Sequence, residues 1–183
     1  MAPEIPVSGL TLILGGARSG KSSFAEKIAR EAGKSVLFIA TATAGDSEMA
    51  ERISKHQASR PTHWQTLELP HNIGRNLTAP IAEIVIVDCI TLLVSNILLS
   101  LPESAPTEVA MHKIRVEIDE LVAAQTRLGG QWLLVSNEVG LGLVPPYPLG
   151  RVYRDALGFA NQSLAQAASR VILMVAGITM VIK

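Results

Sequence analysis

The segment Gly15-Gly16-Ala17-Arg18-Ser19-Gly20-Lys21-Ser22 has the spacing G-x-x-x-x-G-K-S, which suits a chain that wraps its backbone around phosphate groups. In such a loop the N–H groups turn inward, and side chains would block the approach, so glycines are needed. Lys21 would reach the β- and γ-phosphates as a point charge, and the Ser22 hydroxyl would join the shell of a Mg²⁺ ion. A glycine turn between a strand and a helix is the plain alternative. The context favours phosphate binding: the apolar run Leu10-Thr11-Leu12-Ile13-Leu14 precedes the loop, and Ser23 to Ala29 continues in helical period, so a helix dipole would point at the anion. Asp88 closes the β-branched run Ile84-Val85-Ile86-Val87 and is the only acid there. It is placed to orient Mg²⁺ or a metal-bound water, although an Asp after a strand can also cap the next helix. These residues point to a nucleotide-dependent phosphotransferase or an ATPase, and to nothing finer.

A second chemical group stands on a predicted helix from Asp46 or Ser47 to about Ser59, ended by Pro61. Met49, Ala50 and Ile53 form its apolar face, while Glu48, Arg52 and His56 follow at four-residue steps on an adjacent stripe. A neutral imidazole at His56 is a competent nucleophile toward phosphorus, with Arg52 and Arg60 near enough in sequence to neutralise phosphate charge. A histidine in a charged helical stripe also reads as solvated surface. His63, His71 and His112 have no metal-ligand spacing. Glu138, after a central strand, could support a base or a metal-bound water, or could satisfy backbone donors in its own loop. Arg151, Arg154 and Asp155 open the following helix and could face an acceptor phosphate or a subunit partner.

The elements that must carry these groups alternate strand and helix. The first strand and its helix are followed by a strand at Ser35 to Ala40, a short one at Trp64 to Leu69, and two central parallel strands at Ile84 to Asp88 and Gln131 to Ser136. Helices are predicted over Thr91 to Leu99, Thr107 to Leu128 and Leu149 to Ala168, with loops at Leu101 to Pro106 and Gly140 to Pro148. Val171 to Val175 and Thr179 to Ile182 flank a Gly177 turn too short for a parallel crossover, so the last strand is expected at an antiparallel edge. At 183 residues and 48% hydrophobic content, one well-filled α/β domain is expected. Sixteen basic and sixteen acidic residues cancel, so nothing in the total suggests a nucleic-acid partner. The lone cysteine, Cys89, fits a reducing cytoplasm; no secretory pattern appears at Met1 to Pro6, and no apolar run reaches transmembrane length.

Several further motifs occur in one order: Glu48-Met49 with Arg52-Ile53, His56-x-x-x-Arg60-Pro61 followed by His63-Trp64, and Asp88-Cys89-Ile90-Thr91 with Ser95-Asn96. Ser136-Asn137-Glu138-Val139-Gly140, Arg154-Asp155 with Gly158 and Asn161-Gln162, and Ala176-Gly177-Ile178 follow. From about residue 9 onward the chain resembles the bifunctional adenosylcobinamide kinase/adenosylcobinamide-phosphate guanylyltransferases of cobalamin assembly; Met1 to Ser8 form an extension outside the match. The resemblance implies a P-loop, RecA-like three-layer α/β sandwich and two successive reactions. First, ATP or GTP phosphorylates the hydroxyl of adenosylcobinamide; GTP then donates GMP to adenosylcobinamide-phosphate through a histidine-bound GMP, giving adenosylcobinamide-GDP and pyrophosphate. The family's histidine falls on His56. Lys55 stands where some relatives have a histidine, and some have Glu in place of Asp88. The resemblance places nucleotide contacts along Gly15 to Ser22 and at Ala40, Thr41, Ala42, Gln57, Arg60, Glu68 and Asp88, with Mg²⁺ at Ser22 and Asp88 and Lys21 catalytic. It also implies a homo-oligomer, a trimer in the best match. A P-loop kinase of another small hydroxyl compound and a non-enzymatic nucleotide switch remain the alternatives.

Overall fold

The computed structural model describes residues 8–43, 60–79 and 82–183. Its elements are β1 (Gly9–Gly15), α1 (Lys21–Ala32), β2 (Val36–Ala40), β3 (Gln65–Glu68), α2 (Ile73–Asn76), β4 (Ile84–Asp88), α3 (Ile90–Leu99), α4 (Thr107–Leu128), β5 (Gln131–Asn137), α5 (Pro148–Ala167), β6 (Arg170–Val175) and β7 (Ile178–Val181). The strands form one seven-stranded sheet in the order β3-β2-β4-β5-β1-β6-β7. Every pairing is parallel except β6 with β7, whose register runs from Val175 opposite Ile178 to Ile172 opposite Val181. The antiparallel edge is therefore where the Gly177 turn required it.

The central strands read as continuous apolar runs because both faces are covered. Successive side chains point to opposite faces, so each strand feeds two cores. Ile84, Ile86, Leu133 and Val135 pack under α1 with Ala25 and Ala29, while Val85, Val87, Trp132 and Leu134 pack against α3, α4 and α5. Three layers result, with the carboxyl ends of β1, β2, β4 and β5 along one rim. Such a rim is where ligands bind in open α/β sheets.

Most element boundaries lie within a residue of those expected, and two of the shifts have a tertiary cause. β2 begins at Val36 rather than Ser35, because the Ser35 N–H and hydroxyl donate to the Glu83 carboxylate, each at 3.3 Å. β3 loses Trp64, which is turned into the core beneath α1. α2 had no counterpart in the sequence reading. Asn72 precedes it in the left-handed region (φ 57), and the Glu117 carboxylate on α4 accepts from the Asn72 and Ile73 N–H groups at 2.8 and 2.9 Å. The helix expected over Asp46 to Ser59, with Glu48, Arg52, Lys55, His56 and Gln57, lies outside the described residues.

Candidate active site

β1 delivers the glycine-rich loop to the rim, and α1 starts directly from it. Gly20 occupies the N-cap of α1 at φ 97, a left-handed conformation that favours glycine. Gly15 is required by space: a Cβ there would collide with the Met174 carbonyl and the Ser19 hydroxyl. The loop is braced from β6 and β7, since the Gly177 N–H donates to the Ser19 carbonyl at 3.0 Å.

Lys21 is buried, at 7% exposure, and its Nζ donates to the Gly16 carbonyl at 2.7 Å. Burial holds its pKa below the ordinary lysine value, with Cys89 and Asp88 pulling the other way. In this arrangement the ammonium rests on the loop's own backbone, a partner that incoming phosphate oxygens can replace. Burial, with Asp88 alongside, pushes the Cys89 thiol up to about 11, so it is an uncharged wall at neutral pH.

Ala17, Arg18, Lys21, Ser22, Arg60 and Asp88 line one cleft of about 380 Å³ on this rim. Arg60 lies with its guanidinium carbon 3.6 Å from the centroid of the Phe38 ring. Its Nε and Nη1 are buried and have no hydrogen-bond partner among the described residues. Burial lowers its pKa, against the pull of Glu26, Asp88 and Glu68. Buried donors on a cation are rarely left unsatisfied, so this pair is suited to anionic oxygens of a ligand. Ser22 and Asp88 bring two hard oxygen donors to the same cleft, which suits Mg²⁺; that ion is normally held by one or two protein groups plus phosphate oxygens and waters. Among the described residues no cluster of three or more His, Cys, Asp or Glu side chains could cage a metal by itself.

The other sequence-selected residues divide. Ala40 and Ala42 line the cleft, whereas Thr41 between them is fully buried. The Thr41 hydroxyl donates to the Cys89 carbonyl at 2.8 Å and accepts from the Cys89 N–H at 2.7 Å, pinning β2 to the turn after β4. Glu68 is exposed at the end of β3 and is not part of the cleft wall. Glu138 takes the loop role, accepting from the Gly140 N–H at 2.7 Å. Arg151 donates to the carbonyls of Pro145 and Pro146, which shapes its own loop. His63, His71 and His112 are exposed.

Thr91, Leu92 and Asn137, none of them a sequence-predicted contact, also line the cleft. The Thr91 hydroxyl accepts from the Asn137 N–H at 2.7 Å, locking the ends of β4 and β5 together. The available signal was position: each stands at or just past the carboxyl end of a central strand.

Comparison with known proteins accounts for the motif order. The solved structure of flagellar accessory protein FlaH from Methanocaldococcus jannaschii is similar at a TM-score of 0.50 and 15% identity, covering 100% of this chain and 81% of that one. RadB recombinase is similar at a TM-score of 0.50 and 13% identity, with 91% and 75% covered. These likenesses concern the fold, which is the P-loop, RecA-like one. At the sequence level the chain is 44% identical over 174 residues to the bifunctional adenosylcobalamin biosynthesis protein CobP of Pseudomonas aeruginosa, covering 94% of this chain and 96% of that protein. It is 42% identical to the bifunctional adenosylcobalamin biosynthesis protein CobU of Salmonella typhimurium, covering 95% and 99%. Residues 11–182 match the family profile described as cobinamide kinase / cobinamide phosphate guanyltransferase. With that match spanning nearly the whole chain and carrying every motif that surrounds the cleft, the protein belongs to the cobinamide kinase / cobinamide phosphate guanyltransferase family.

Proposed function

We propose that this protein phosphorylates adenosylcobinamide with ATP or GTP and then transfers GMP from GTP to adenosylcobinamide-phosphate. The carrying observation is the convergence of Lys21, Ser22, Arg60 and Asp88 on one cleft beside the phosphate loop, in a chain of this family.

In the first step the acceptor hydroxyl oxygen bonds to the γ-phosphorus, the bond to the β,γ-bridging oxygen breaks, the nucleoside diphosphate leaves, and the hydroxyl proton passes to solvent. Little covalent help is needed; positioning and charge neutralisation by the loop N–H groups, Lys21 and Arg60 carry the catalysis. In the second, an imidazole nitrogen of His56 bonds to the α-phosphorus of GTP and pyrophosphate leaves, with the same cations on the departing charge. An oxygen of the acceptor phosphate then bonds to that phosphorus while the P–N bond breaks, returning the imidazole. Mg²⁺, held by Ser22 and Asp88, would supply charge neutralisation at the phosphates. Gln57 and Glu68 are proposed to contact the nucleotide away from its phosphates. Family membership favours this over a simple kinase or a nucleotide switch, neither of which carries nucleotide covalently. The same reading makes the protein a cytoplasmic homo-oligomer, a trimer, consistent with a lone cysteine and with the lack of any membrane-crossing helix among the described residues.

The test is covalent labelling with Mg²⁺ and GTP carrying label at the α-phosphate. Acid-labile, alkali-stable label is expected on the wild type and absent from His56→Ala, which should still phosphorylate cobinamide. A folded, GTP-binding wild type that takes no label would sink the histidine–GMP step.

A further inference from the structure

A second groove opens on the far side of the wall made by the end of β5. Asn137 faces the nucleotide cleft; the next residue, Glu138, lines the groove with Leu14, Arg154, Gly158, Asn161 and Gln162. The groove encloses about 690 Å³, more than the cleft, and opens to solvent. It is tied directly to the phosphate loop: Leu14 precedes Gly15, and the Glu138 N–H donates to the Gly15 carbonyl at 3.1 Å. Its wall is rigid, because the Ser136 hydroxyl donates to Asn161 Oδ1 at 2.7 Å and Asn161 Nδ2 donates to the Asn137 carbonyl at 3.0 Å.

Two features of α5 indicate an occupant. Gly158 stands mid-helix, where glycine is costly relative to alanine, yet a Cβ there would meet nothing within 4 Å. No packing neighbour among the described residues accounts for the missing side chain; its effect is to leave the groove floor open. Arg154 lies one helical turn earlier, on the same face. Its ion pair among the described residues is a long one, 3.5 Å to the adjacent and exposed Asp155, so the fold has little use for its charge. Glu138, the other carboxylate at the groove, is already turned to the Gly140 N–H.

We propose that this groove holds the corrinoid acceptor and that Arg154 binds the phosphate monoester which the first reaction places on it. The inference rests on the two-step reading above. The acceptor of the first step is a neutral alcohol; that of the second is an anion that must approach another anionic phosphoryl group. A cation on the acceptor's own side is then required, because Lys21 and Arg60 line the nucleotide cleft and not this groove. A planar guanidinium at the mouth of the groove meets that need and is idle in the first step.

The test uses the full-length protein and reads direct binding by calorimetry, independent of catalysis, alongside steady-state kinetics. Arg154→Ala should weaken cobinamide phosphate binding and raise its KM by about tenfold or more, the loss of one charge-assisted contact. Cobinamide binding, and labelling by α-labelled GTP, should stay within about twofold of wild type. Arg154→Lys should recover part of the affinity. Gly158→Leu, filling the floor, should weaken both acceptors by a similar factor with sedimentation unchanged. Equal loss of both acceptors in Arg154→Ala, or no loss of either, overturns the assignment. So does a Gly158→Leu variant that changes oligomeric mass without moving either affinity, since the groove would then be a face between copies. A wild type that binds cobinamide phosphate through Arg154 but takes no GMP label would overturn the covalent step alone.

Discussion

Gly15 and Gly158 stand on either side of the β5 end, and the chain needs each for a different reason. At Gly15 a side chain is forbidden by the protein itself, by the Met174 carbonyl and the Ser19 hydroxyl. At Gly158 nothing among the described residues forbids one. The phosphate loop of the nucleotide cleft is thus shaped by backbone: a glycine with no room for a side chain, a lysine resting on a carbonyl, and a turn from the sheet edge bracing the loop. The groove is built mostly from side chains of α5, with Leu14 and Glu138 completing its wall. Recognition by backbone needs a particular chain path, so it is tied to the fold; recognition by helix side chains can change while the path stays the same.

The contrast can be broken at three points. The largest effect should come from Gly15→Ala, which must move the β6 backbone or the loop; GTP affinity should fall by about a hundredfold or more, as when several charge-assisted contacts are lost together. A variant that binds GTP normally by equilibrium titration would mean the loop adapts and the cleft is less dependent on backbone path. Arg60→Met comes next. It removes a cation whose buried Nε and Nη1 make no hydrogen bond among the described residues, so GTP affinity should drop about tenfold while unfolding free energy changes by less than about 1 kcal/mol. Denaturant melts showing a large stability loss would assign Arg60 to the Phe38 stack rather than to the ligand. The smallest effect, of opposite sign, is expected from Gly158→Ala: a gain of about 0.5–1 kcal/mol in stability from helix propensity. A loss in the melting curve would reveal a close neighbour over α5.

Much of this was legible from residue types and spacing. The loop, β4 ending on Asp88 and the full extent of α4 (Thr107–Leu128) follow from local pattern, because propensity, period and turn residues agree there. α2 was not legible. Its first N–H groups are capped by Glu117, whose nearness depends on how α4 packs, and no local signal at Asn72 records that. Thr41 shows the same limit within the site. A threonine at a strand end reads equally well as a ligand contact or as a brace, and only the position of Cys89 separates the two. Arg60 could be nominated from its motif, but the stack on Phe38 that leaves its donors unpaired is a tertiary fact.

The sheet order carries a consequence in time. β1, which holds the phosphate loop, sits between β5 and β6, and both partners are synthesised on the order of 100 residues after it. At typical elongation rates that is an interval on the order of ten seconds in which an apolar strand has left the ribosome without either neighbour. The hydrogen bond by which Gly177 braces Ser19 forms later still, so the phosphate loop also lacks that support during the same interval. Production of this protein should therefore respond to chaperone supply and to slower growth temperature, through the protection of one seven-residue strand.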